Sequence, residues 1–87
     1  MYSLVFSETA QKQLGRLDRS VAQRIRRKLD WLVESVEIIT HEWLHHSWAG
    51  RAKLREGDYR IIYEVVLASQ TIVVWAIGHR SEIYKDR

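Results

Sequence analysis

From residue 10 onward the hydrophobic period of this chain changes once, and the change divides that stretch into a helical part and a strand part. Between residues 10 and 36 apolar side chains recur at helical spacing. Ala10, Leu14 and Leu17 make one stripe, and Val21, Ile25, Leu29, Leu32 and Val36 make a longer one. After Gly50 the period is two. Arg51, Lys53 and Arg55 alternate with Ala52 and Leu54, the stretch from Tyr59 to Val66 is rich in β-branched and aromatic residues, and residues 72–77 are apolar throughout. A chain patterned in this way has to bury its helical stripes against one face of a sheet.

The ends of the elements can be placed from local chemistry. Tyr2, Leu4 and Phe6 alternate with Ser3 and Val5 as a short first strand, and Ser7 is positioned to cap a helix beginning near Glu8. Asp18 or Ser20 can cap a second, longer helix, so the two form an α-hairpin. Between Ile39 and Gly50 the period lapses, and this His- and Trp-dense segment reads as a connector anchored by its aromatics. Glu56-Gly57-Asp58 and Ala68-Ser69-Gln70 are turn signals, and Gly78 is expected to end or bend the last strand. The expected order is β-α-α-β-β-β. That is an α+β two-layer sandwich, with an N-terminal strand and helical hairpin packed on a mainly antiparallel four-stranded sheet. With 87 residues the chain has room for one core, so residues 1–87 are expected to be a single domain.

Composition narrows the chemistry. There is no cysteine, which excludes disulfides, thiolate metal sites and a cysteine nucleophile. The beginning of the chain has neither a basic leader nor a long apolar stretch, and its longest apolar run is of strand length, so a cytoplasmic protein without a membrane role is expected. The net charge of +3 is unevenly laid out. Residues 10–28 carry Lys12, Arg16, Arg19, Arg24, Arg26, Arg27 and Lys28 against Asp18 alone, and the next block is acidic with Asp30, Glu34, Glu37 and Glu42. Arg51, Lys53, Arg55 and Arg60 form a second basic block, and Arg80, Lys85 and Arg87 lie near the end. Arginine outnumbers lysine ten to four, and its planar fork suits phosphate and base stacking better than an ammonium does.

Closing the first hairpin at Gly57 sets Arg55 against Arg60, Lys53 against Ile62 and Arg51 against Glu64, all on one side of the sheet. Ala52, Leu54, Ile61 and Tyr63 then form the side that meets the helices, leaving the basic side open. Like charges facing each other at Arg55 and Arg60 disfavour folding by about 0.2–1 kcal/mol, so their placement points to an anionic partner.

The segment from Arg51 to Val65, RAKLREGDYRIIYEV, followed by IGHRSEIY from Ile77 to Tyr84, resembles the RelE family of bacterial and archaeal toxins. The likeness runs along nearly the whole chain. It implies the toxin of a type II toxin–antitoxin pair, an endoribonuclease that cuts mRNA in the ribosomal A site without a metal or other cofactor. The implied reaction is attack of a ribose 2′-hydroxyl on its own 3′ phosphate, giving a 2′,3′-cyclic phosphate and a free 5′-hydroxyl. The implied partners are mRNA on the ribosome, with contacts to 16S rRNA, and a RelB-like antitoxin through which alone operator DNA is bound. By resemblance, Lys53 is the candidate base or charge stabiliser, Arg60 the phosphate clamp, Arg80 the stabiliser or acid, and Tyr84 the base-stacking residue. Arg51 and Arg55 are candidate RNA-binding residues. Arg51 stands where a well-studied member has a second lysine, and a guanidinium cannot give up its proton near neutrality. His79 is therefore a further candidate for proton transfer. Glu64, opposite Arg51, is a candidate to neutralise it.

Two other readings compete. His41-Glu42-Trp43-Leu44-His45 matches H-E-x-x-H, a zinc motif, but it lacks the third ligand and the enclosing helix that such a site requires. A ParE-like toxin that inhibits DNA gyrase by binding is the alternative within the same fold.

Overall fold

The computed structural model describes residues 1–84; Lys85 and Arg87 of the terminal basic block lie outside the described residues. Its elements are β1 (Ser3–Phe6), α1 (Glu8–Gly15), α2 (Arg19–Ser35), β2 (Glu42–Trp43), a 3-10 turn (His46–Trp48), β3 (Ala52–Glu56), β4 (Tyr59–Val66) and β5 (Thr71–His79). One five-stranded sheet runs in the order β1-β5-β4-β3-β2. Only the β1–β5 pair is parallel; the others are antiparallel. The two-layer α+β architecture is the expected one, with one strand more. β2 pairs Glu42 with Lys53 and Trp43 with Ala52 inside the segment read as a connector. Two residues are too few to carry a period, which is why the strand is invisible in the pattern.

Helix starts follow their caps. Ser7 Oγ accepts the Ala10 N–H at 3.0 Å, as expected, whereas Asp18 occupies the second N-cap position without a side-chain bond. Ala10, Leu14, Ile25, Leu29, Leu32 and Val36 are buried from the helices, and Ala52, Leu54, Ile61, Tyr63, Ile72, Val74 and Ile77 meet them from the sheet. Tyr63 lies fully inside this core, and burial pushes its hydroxyl up to about 12. Gly57 takes φ +58° in the tight β3–β4 turn, a conformation that glycine adopts without a Cβ clash.

The β4–β5 register slips by one residue: Ile62 faces Ala76, but Tyr63 faces Val74. Trp75 is the extra residue, so both Trp75 and Ala76 lie on the face away from the helices, and alternation beyond them is inverted. Side chains of the first helical segment complete the bulge. β1 stops at Phe6, and from there Ser7 Oγ donates to Trp75 O at 2.9 Å while Gln13 Oε1 accepts the Ile77 N–H at 2.6 Å. β5 also continues past Gly78 to His79. At Gly78 the missing side chain makes room for Ile83, whose Cδ1 lies 3.1 Å from where a Cβ would stand.

Candidate active site

The face of the sheet that the helices leave uncovered has its own small apolar floor, made by Ile62, Ala76 and Ile83 with Leu44, Trp48, Trp75 and Tyr84 around them. The cations expected on this face surround that floor in three groups.

The first group is centred on Lys53. Its ammonium lies 3.1 Å from Glu42 Oε2 and 5.6 Å from the centre of the Tyr84 ring, with only 21% of the side chain exposed. The Arg55 guanidinium approaches the same Glu42 oxygen at 3.3 Å. Lys53 above all, with help from Arg55 and against some desolvation, holds the Glu42 carboxyl below the usual carboxylate range. A hollow of about 500 Å³ opens here, lined by Glu42, Lys53, Tyr84, His45 and His46 among others. Tyr84 and Ile83 arrive over the sheet because the N–H groups of Glu82 and Ile83 both donate to His79 O at 2.9 Å, turning the chain back.

The second group gathers at the β3–β4 turn. Arg60 Nη1 donates to Gly57 O at 3.0 Å and Tyr59 O at 2.8 Å. The Arg80 N–H donates to Asp58 O at 2.8 Å, and its Nε lies 3.7 Å from Asp58 Oδ1. Arg55 and Arg60 do face each other in the register, as the hairpin predicted, but their guanidinium groups part, one to Glu42 and the other to the turn carbonyls. That splaying relieves the like-charge contact.

The third group corrects an expectation. Arg51 makes no ion pair with Glu64. Its guanidinium lies over Trp75 at 4.2 Å and near Trp48 at 5.5 Å, while Glu64 Oε1 accepts the Trp75 Nε1–H at 3.0 Å. β3 begins at Ala52, so the ladder does not fix Arg51 opposite Glu64, and the bulged Trp75 comes between them.

His79 is not brought to this face. It pairs with Tyr59, edge-on at 5.5 Å between ring centres, and Tyr59 packs on the helix-side core. The bulge is the cause, since unbroken alternation from Ile72 and Val74 would have put His79 beside the cations. Its Nδ1 accepts the Ser81 N–H at 3.1 Å, which leaves the neutral ring's proton on Nε2. The H-E-x-x-H segment is a two-residue strand with irregular chain on either side instead of a helix, and both His41 nitrogens are engaged, Nδ1 with the Tyr63 hydroxyl and Nε2 with Val36 O at 2.8 Å. Among the described residues no group of three His, Cys, Asp or Glu is placed to hold a metal, and no helix is long and apolar enough to cross a membrane.

Sequence reasoning missed Glu42, His45 and His46 as site residues. Glu42 and His45 stood out only within the H-E-x-x-H match, and the partners of Glu42 emerge only once β2 pairs with β3.

A family model described as the ParE toxin of type II toxin–antitoxin systems, parDE, matches residues 4–84. The mRNA interferase toxin RelE of Escherichia coli is 30% identical over 87 residues, which cover 98% of this chain and 92% of that protein. The chain belongs to the RelE/ParE toxin superfamily. Solved structures of the superfamily agree in fold. The isolated E. coli RelE toxin superposes with a TM-score of 0.77 at 25% identity, covering 91% of this chain and 84% of that one. The intact E. coli RelBE toxin–antitoxin complex matches with a TM-score of 0.75 at 27% identity, covering 91% and 96%.

Proposed function

We propose that this chain is the toxin of a type II toxin–antitoxin pair and a metal-independent endoribonuclease that cuts mRNA in the ribosomal A site, in the cytoplasm. The observation that carries the reading is the Lys53, Glu42 and Arg55 cluster beside Tyr84 on an open cationic sheet face. Support comes from a relative, 30% identical over nearly the full length, that is named an mRNA interferase. An RNA strand lying on this face meets cations where its phosphates pass and an aromatic ring on which a base can stack.

In the proposed reaction the 2′-oxygen attacks the phosphorus, the bond to the 5′-oxygen breaks, a 2′,3′-cyclic phosphate remains, and the departing 5′-oxygen takes a proton from solvent water on this open face to become the 5′-hydroxyl. Lys53 and Arg55 neutralise the phosphate, and Arg60 and Arg80 stabilise the added negative charge of the transition state. Arg80 acts as a stabiliser and not an acid, because a guanidinium holds its proton. Glu42, His45 and His46 line the hollow and have lone pairs to take the 2′-hydroxyl proton. The variant that removes a limb of the cleavage pH profile identifies which of them acts. An acidic or amphipathic antitoxin covers the cationic face and silences it.

One observation favours a second reading. The matching family model carries the ParE description, and under that reading the chain inhibits DNA gyrase by binding and cuts no RNA. Programmed ribosomes incubated with the purified chain separate the two. Cleaved mRNA with cyclic-phosphate ends is expected, slowed about 10²-fold or more by Lys53→Ala or Arg80→Ala with ribosome affinity little changed. Intact mRNA together with gyrase-dependent DNA breaks would refute the ribonuclease.

A further inference from the structure

An acidic residue on a face that meets RNA needs a reason, because a carboxylate repels the phosphates that the surrounding cations attract. Glu42 has one, since it holds Lys53 and Arg55. Glu64 does not, since it forms no ion pair with any cation among the described residues. One of its oxygens accepts the Trp75 N–H at 3.0 Å, which fixes the carboxylate in place, and the other accepts no hydrogen bond among the described residues. Beside it the Arg51 guanidinium lies over the Trp75 ring at 4.2 Å, with the Trp48 ring 5.5 Å from the same guanidinium. All four side chains are partly exposed. Glu64 is two residues along β4 from Ile62, the partner of Lys53, so the two groups lie on one face about 7 Å apart along the strand.

A cationic plane fixed on an indole, with an oriented carboxylate at its edge, is the equipment for holding a nucleobase. The guanidinium plane takes the base by stacking, and the carboxylate accepts a hydrogen bond from an amino group on the base edge. We propose that Arg51, Trp75 and Glu64 form a base-reading subsite for a nucleotide adjoining the scissile phosphate. The subsite favours a base with an exocyclic amino donor, adenine, cytosine or guanine, over uracil, which has no amino group and whose one ring donor, N3–H, is flanked by carbonyl oxygens that the carboxylate repels. The proposal rests on the ribonuclease reading above and adds to it the residues that choose the codon.

The test is single-turnover cleavage on ribosomes programmed with mRNAs that differ at one A-site base at a time. The wild-type chain is expected to cut codons with uracil at one particular position about tenfold more slowly than the same codons with the other bases, the discrimination of about one hydrogen bond. Glu64→Gln keeps a carbonyl for Trp75 but turns a donor toward the base. It should abolish or invert that preference, chiefly by slowing the codons with an amino-bearing base toward the rate of the uracil codon. Arg51→Lys keeps the charge without the plane and should flatten the same profile. Circular dichroism verifies the fold of each variant. A wild-type base profile retained by both folded variants overturns the subsite, as does a wild-type chain that cuts all codons alike. A wild-type chain that cuts no mRNA at all instead refutes the ribonuclease reading on which the subsite depends.

Discussion

Replacing Gln13 by methionine tests whether α1 holds the bulge that shapes the active face. The Gln13 amide oxygen accepts the Ile77 N–H at 2.6 Å, and Ile77 is 1% exposed. β1 has already ended at Phe6, so no neighbouring strand can take over that donor. Methionine matches glutamine in length and helix propensity, so the substitution removes the acceptor and little else. A buried N–H left without a partner costs about 1–3 kcal/mol. For a chain of this size about 1 kcal/mol lowers Tm by about 4–8 °C, so a fall of about 4–24 °C is expected in thermal unfolding followed by circular dichroism. Native-state hydrogen exchange should show the same change locally, with the Ile77 amide losing protection in Gln13→Met and keeping it in Gln13→Glu, which retains an acceptor. A Tm within about 2 °C of wild type, with Ile77 still protected, would show that the bulge is held by the strands alone and that the account of its closure is wrong.

Two further expectations concern charge and burial. Lys53 holds the Glu42 carboxyl below its ordinary range, so the contribution of Glu42 to stability is complete above the unfolded value of about 4.3 and is lost as pH falls through the lower folded value. The difference between wild type and Glu42→Gln in urea titrations should therefore be about 0.2–1 kcal/mol near neutrality, as for other exposed ion pairs, shrink in high salt and vanish in strong acid; a difference that persists at low pH would assign Glu42 some role other than its ion pairs. Tyr63 should be silent in an ultraviolet titration of the tyrosines until about pH 12, and Tyr63→Phe should leave the lower part of the curve unchanged; loss of a normal phenol from that curve would mean the core opens around it.

The hairpin register was legible because a two-residue turn at Gly57-Asp58 and a strict alternation leave one way to pair the strands, and Lys53 does face Ile62 as Arg55 faces Arg60. The helices were legible from Ala10 to Val36 for the same reason, a period sustained long enough to mark one face. What failed to show were features of one or two residues. β2 is two residues long, so the ion pairs of Glu42 with Lys53 and Arg55 have no trace in the local pattern. A single inserted residue at Trp75 moves His79 to the other face and parts Arg51 from Glu64, and no apolar run of that length betrays where its bulge will fall. The candidate site was thus readable in its residue types and misread in the parity of one strand.

The partners of the site's cations also explain how such a face can be stable and still receive a phosphate. Lys53 and Arg55 share one half-exposed carboxylate, Arg60 rests on two turn carbonyls through one nitrogen, Arg80 sits at 3.7 Å from Asp58, and Arg51 lies on an indole. Each contact fixes a side chain, and none neutralises it with a deeply buried opposite charge. Contacts of this kind are worth about 1 kcal/mol or less apiece, so a phosphate that displaces Glu42 from Arg55 gives up little. Meanwhile Arg60 still has its Nε and Nη2 donors uncommitted among the described residues. A buried carboxylate in place of Glu42 would hold the same cations more firmly and at the same time close the site to RNA.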